Sequence, residues 1–214
     1  MSARPLAATL MGCALFLLLG LPMSIQAQAW LPPKGDGEIT YTYQNLYVRD
    51  HLDYTGKKFD PGPIRTHTQI ISLEYGLTDK LALDADIAYV ASRFLGPYPP
   101  EPHGPPDTGS YHPTFQDLRI GIRYNVLHGP VVISPSVAVV VPTHHYETRG
   151  HSAVGRDLHE LQMGVNVGRD LEDILPGTYV EGRFAFAIVE RVEGLNLNRT
   201  NADWEVSHFV TDRL

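Results

Sequence analysis

Cysteine is all but missing from this 214-residue chain; Cys13 is the only one. It lies in an apolar run near the N-terminus, so the sequence beyond it has no disulfide and no thiol chemistry. Long apolar runs are missing after Met23, and no later segment is long enough for a membrane helix. The helical period is absent after residue 29, which argues against a helical bundle or an alternating α/β fold. Positive charge is scarce. Arg4 is the only charged residue among the first 29, which leaves 16 basic against 24 acidic residues, a balance of −8. That sign argues against nucleic-acid binding. There is no G-x-S-x-G stretch for a serine nucleophile and no zinc-ligand spacing. The expectation is a protein that is not an enzyme and has no cofactor.

What is present begins with a leader. Arg4 is followed by the apolar run Leu6 to Met23 and then by Ala27-Gln28-Ala29. A basic start, a hydrophobic centre and a small-x-small end read as a secretory signal peptide over residues 1–29, cleaved before Trp30. Pro22 and the Ala-Gln-Ala end argue against an uncleaved anchor. Leu10-Met-Gly-Cys13 has the outline of a lipoprotein cleavage box. The apolar run continues past Cys13, however, so cleavage there would leave a greasy N-terminus.

Residues 30–214 read as strands. In "YGLTDKLALDADIAYVASRF" (75–94), Leu81, Leu83, Ala85, Ile87, Tyr89 and Ala91 alternate with Ala82, Asp84, Asp86, Ala88 and Ser92, and only Val90 is out of pattern. Side chains of a strand point to alternate faces, so one face is oily and the other polar. The same pattern predicts strands at Glu38–Val48, Thr66–Gly76, Phe115–Val126, Val131–Val141, His159–Arg169, Thr178–Glu190 and Ala202–Val210. Pairing about Thr78 sets Leu73 against Leu83 and Ser72 against Asp84. Pairing Val126 with Val131 sets Arg123 against Ser134. Pro135 cannot donate a ladder bond, so a bulge or local break is expected there.

The connections alternate in length. Short turns follow Gly76, Val126 and Arg169. Long polar loops cover 49–64, 94–113, 143–157 and 191–201. Outer-membrane barrels have short turns on one side and long loops on the other. If the mature chain lives in a membrane it must be a closed barrel, because only helices and barrels satisfy every backbone group in lipid. Glycines and charges of both signs share the polar face, as a narrow lumen requires. Tyr75, Tyr89 and Tyr124 sit near strand ends on the oily face, where interfacial girdles lie. The predicted fold is therefore all-β: an antiparallel up-and-down transmembrane β-barrel in the cell outer membrane. "HFVTDRL" (208–214) repeats the form of "YGLTDKL" (75–81), a turn that leads into a strand. The eight visible strands are thus expected to belong to a barrel of ten to twelve, truncated at its C-terminus. The alternatives are a natural eight-stranded barrel and, with the faces reversed, a soluble periplasmic lipocalin-like carrier of a lipid or aromatic ligand.

The pattern resembles the outer-membrane β-barrel family labelled putative MetA-pathway of phenol degradation. The resemblance rests on "YGLTDKLALDADIAYV" (75–90), "FQDLRIGIRYNVL" (115–127), Pro142-Thr143 and "GRDLHELQMGVNVGR" (155–169). The family pattern has Gly after Pro-Thr, where this chain has His144. The resemblance implies a transporter-like outer-membrane channel, with small apolar or aromatic compounds as its solutes and membrane lipid as its surroundings.

Candidate chemistry lies on the polar face. Asp84 and Asp86 share a face and could form an acid pair. The preferred reading is a charge ladder balanced by Arg119 and Arg123, since Glu181 and Arg183 repeat the arrangement. Asp84, Asp86, Asp117, Arg119, Arg123, Glu181 and Arg183 are expected to line the lumen, where such charges set solute preference. His103, His112, His144, His145, His151 and His159 gather in or near the long loops. Imidazoles are common metal ligands, but the spacing suggests solvated loop residues. The proline-rich segment within 94–113 suggests a stiff, extended surface loop.

Overall fold

A computed structural model describes residues 29–53, 55–60, 62–96 and 106–209. The proposed leader, apart from Ala29, and the repeated turn at 210–214 lie outside the described residues. So do His103 and much of the proline-rich loop. Among the described residues there is no helix. The strands are β1 (Gly37–Val48), β2 (His51–Leu52), β3 (Lys58–Phe59), β4 (Ile64–Thr78), β5 (Leu81–Phe94), β6 (His112–Tyr124), β7 (Val131–Pro142), β8 (Glu160–Asp170), β9 (Thr178–Val189) and β10 (Arg199–His208).

Eight of these form one sheet in the order β1-β4-β5-β6-β7-β8-β9-β10. Every pair is antiparallel and joins sequence neighbours, apart from the small β2–β3 hairpin inserted in the first long loop. The fold is thus an all-β up-and-down meander. Its loop lengths sort by side as the sequence indicates. β2–β3 was not legible because two-residue strands carry no usable alternation.

Two predicted registers are corrected. Leu73 pairs with Ala85 and Glu74 with Asp84, two residues from the expected partners. Thr78 flanks Leu81 across an Asp79–Lys80 turn, and an irregularity between Gly76 and Thr78 absorbs one residue. Likewise Arg123 pairs with Ser136 rather than Ser134. A two-residue slip leaves every side chain on its own face, so the face assignment survives both corrections. Pro135 pairs with Val165 in unbroken register on the β8 side. On the β6 side the ladder ends at Ser136 and resumes one residue out of step, at the Leu127–Ile133 bridge. The expected break is therefore one-sided. A second irregularity lies between Ile87 and Tyr89.

The sheet curls. Arg183 on β9 interacts electrostatically with Asp84 on β5 and with Arg119 and Arg123 on β6. In a flat sheet β5 and β9 would stand about 19 Å apart, four spacings of ~4.8 Å. Contacts between non-neighbouring strands also define the inner face: Arg123 on β6 reaches Glu74 on β4, and Arg199 on β10 reaches Glu160 on β8.

On that face Ala82, Ser134, Ala138, Asn166, Ala185 and Ala187 are buried. The opposite face carries Ile71, Leu73, Ile120, Ile122, Val137, Val139, Phe184 and Phe186, all exposed. The sheet therefore hides its small and polar side chains and presents its large apolar ones. Val90, which broke the alternation, points inward with Ser92 and Phe94, all three nearly inaccessible. At that end the 143–157 loop folds over the inner face, with His151 stacked on Phe94.

Candidate functional site

The inner wall is built from alternate residues of neighbouring strands. Asp84 and Asp86 lie two apart on β5 and so point the same way. Across the ladder, Glu74 on β4 stands beside Asp84, and β6 sets Gly121 beside Asp84 and Arg119 beside Asp86. Arg119 Nη1 donates to Asp84 Oδ2 and, at 3.0 Å, to Asp86 Oδ2. Its Nε donates to Gln162 Oε1 on β8 at 3.4 Å. Arg123 donates to Glu74 and lies 3.5 Å from Asp84 Oδ1, an ion-pair distance without hydrogen-bond geometry. Two guanidinia are thus interleaved with three carboxylates. Gly121 is what allows it, since a Cβ there would lie 2.5 Å from Asp84 Oδ2 and 3.0 Å from the Ala138 Cβ.

The other sequence-proposed residues occupy the same face at different heights. Arg183 lies opposite Asn166 and Asp203 and completes the charged middle tier. Asp117, nearer the long loops, accepts a hydrogen bond from the Tyr146 hydroxyl at 2.5 Å. Burial, reinforced by that bond to a carboxylate, raises the Tyr146 pKa well above its usual value. Glu181, nearer the short turns, accepts the Ala29 N–H at 3.0 Å.

Sequence reasoning missed several partners. Glu160 is held by a two-pronged Arg199 pair, both bonds 2.7 Å, and by Arg156 at 3.0 Å. Glu74 was on the polar face by alternation but had no visible partner. Its contact runs across an intervening strand, which no local pattern reveals. On the inner-facing strand positions, Glu38, Glu74, Asp84, Asp86, Asp117, Glu160, Glu181, Asp203 and Glu205 outnumber Arg119, Arg123, Arg183 and Arg199.

The loop histidines mostly pair locally. His145 Nδ1 lies 2.9 Å from Asp157, His159 Nδ1 lies 2.9 Å from Glu190, and His112 Nε2 lies 2.9 Å from Thr108. Among the described residues no three His, Cys, Asp or Glu side chains group as metal ligands would. His151 takes part instead in a clasp between two long loops. Asp107 accepts the backbone N–H groups of His151 at 2.8 Å and Ser152 at 2.9 Å, with the Ser152 hydroxyl at 2.7 Å. His151 stacks on Phe94, centroids 4.3 Å apart. These are the residue types of a catalytic triad, but both His151 and Ser152 engage the carboxylate, and Ser152 is fully buried. The geometry is that of a loop anchor.

Burial opposes ionisation of Asp107, yet the hydrogen bonds it accepts outweigh that and hold its pKa below the ordinary aspartate value. A carboxyl whose folded pKa is depressed contributes stability that is present above the unfolded value and lost as pH falls through the folded one. The clasp is therefore expected to stay closed through the pH range in which an ordinary aspartate protonates and to open only in stronger acid. Asp107→Asn should open it at neutral pH, seen as faster proteolysis within residues 143–157 while the strands stay protected. Equal cleavage in both proteins would show that Asp107 does not hold the loops.

No family model matches the chain, and no curated protein matches it significantly.

Proposed function

We propose that the chain is an exported β-barrel of the cell outer membrane that acts as a passive channel or facilitator for small molecules. One observation carries this reading: the large apolar side chains lie on the outward face and are exposed there, while charges line the inside. Ile122 is 47% exposed and Trp204 82%. In water such a continuous apolar surface would be an association hazard; in lipid it is the favourable surface. Its height fits. From Leu81 to Ala91 the outward side chains of β5 span ten steps of ~3.3 Å, about 25 Å along the normal for a strand tilted roughly 40°. A lipocalin-like carrier would need those side chains around its ligand, where this chain has arginines and carboxylates. The resemblance to the MetA-pathway barrels adds small apolar or aromatic compounds as the solute class.

The test is migration on a gel with and without boiling, after refolding in detergent micelles or in water. Folding that requires micelles, with a heat-dependent band shift, is the expected result. Clean folding in water would sink the membrane reading and turn attention to a ligand inside a soluble barrel.

The acidic excess on the inner wall has a consequence for transport. Cations should be enriched in the bore and permeate better than anions of equal size, increasingly so at low salt, where screening is weak. Reversal potentials across a potassium chloride gradient read this directly. Asp203→Asn with Glu205→Gln should lower the cation preference, because neither residue belongs to the Arg119–Arg123 cluster. An anion-selective pore would contradict the assignment of this face to the bore.

A further inference from the structure

Residues 30–36 take a path that β1 does not require. β1 pairs with β4, so its lead-in could have stayed beside β4. Instead the segment begins on the other side of the curled sheet. Pro32 is fully buried. Trp30 meets Tyr179 edge-on, with centroids 5.7 Å apart. The chain then crosses to β4. There the Gly35 N–H donates to Gly76 O at 2.8 Å, and the Gly76 N–H donates to Asp36 O at 2.9 Å.

Both landing points are glycines. A Cβ on Gly168 would lie 2.4 Å from the Trp30 ring, and a Cβ on Gly76 would lie 2.2 Å from the Pro33 carbonyl oxygen. Two inward-facing strand positions have thus been left bare where the segment rests. Glycine otherwise weakens a strand, and close approach of another chain segment is a recognised reason for it.

We propose that residues 30–36 form a strap that closes the short-turn end of the bore, seated by Trp30 on Gly168. The proposal rests on the channel reading. A chord from β9 to β4 obstructs the passage at the height of Glu181, which pairs with Gly168, on the short-turn side of the charged tier. Displacing the strap opens the passage without touching the Arg119–Arg123 cluster.

The experiment uses the exported chain, beginning at Trp30, with Trp204→Phe, which leaves Trp30 as the sole tryptophan. It reads Trp30 emission with acrylamide quenching in micelles, and conductance in planar bilayers. Gly168→Ala should expel the ring, giving a red shift, stronger quenching and higher conductance. Trp30→Ala should raise conductance as well, and adding Gly168→Ala to it should add little. Unchanged emission in Gly168→Ala would overturn the seat. A freed Trp30 with conductance equal to that of the parent channel would overturn the closure while leaving the channel intact. Conductance absent from every variant, even with Trp30 freed, would remove the channel reading and the strap's role together. A Ser136→Ala control should alter neither signal.

Discussion

Lysine at Ile120 is expected to block folding of this chain into lipid bilayers. Ile120 stands mid-strand on β6 with an outward, exposed side chain, flanked across the ladders by Ala85 and Val139. If that face meets lipid, the ammonium must be dehydrated or drawn to the interface. At the midplane of a barrel this costs about 2–4 kcal/mol. If the face meets water, the same substitution removes an exposed apolar group and should fall within roughly 0.5 kcal/mol of neutral. The two environments therefore differ by several-fold in effect, and the sign of the answer does not depend on knowing the solute. Val139→Lys on β7 should repeat the result. Phe115→Lys, nearer the long loops, should cost less, because the penalty falls toward the interface. Urea titration of refolding into vesicles measures all three. Equal, near-neutral effects at all three positions would place the outward face in water.

Arg119→Ala should be the most damaging change on the inner wall. Arg119 is the shared partner of Asp84 and Asp86 and also reaches Gln162. Its removal leaves two adjacent carboxylates with one guanidinium, Arg123, which is already engaged with Glu74. Breaking a fully buried ion pair from one side costs about 3–5 kcal/mol. Partial access to water on this wall should reduce that to roughly 2–3 kcal/mol. The mechanism makes a sharper prediction than the magnitude. If the cost is the stranded negative charge, Asp84→Asn or Asp86→Asn in the Arg119→Ala background should recover part of the loss, a coupling read by a double-mutant cycle. Arg119→Lys should recover less than its charge suggests, since an ammonium lacks the planar fork that spans two carboxylates. A strictly additive cycle would mean that the residues sit side by side without acting as a unit.

These predictions draw on different depths of the structure. Ile120 could be placed on the outward face from alternation alone, and so could Asp84, Asp86, Asp117, Arg119, Arg123, Glu181 and Arg183 on the other. The expected partners of Ser72 and Arg123 were two residues out, yet the faces held because the strand period is two. The errors came where a residue is added or lost: the irregularity beside Thr78 and the step near Pro135. Val90 broke the pattern, and only the structure placed it on the inner face with Ser92 and Phe94, nearly inaccessible. The acidic character of residues 30–214 was plain from composition. Which acid meets which arginine was not.

The sequence by itself determined the all-β architecture, the order of the large strands, the sorting of short turns from long loops, and the chemical identity of each face. All of these are local properties, carried by alternation within a strand and by Gly, Pro and Asp between strands. Only the tertiary structure decided how far the sheet curls, which brings Arg183 into electrostatic range of Asp84 across three intervening strands. It also decided the Glu74–Arg123 and Glu160–Arg199 pairs, the Asp107 clasp, and the seating of Trp30 on Gly168. Each of these contacts joins residues that neither the ladder nor the chain makes neighbours. Their positions follow from curvature, which accumulates over the whole sheet and leaves no mark on any single strand.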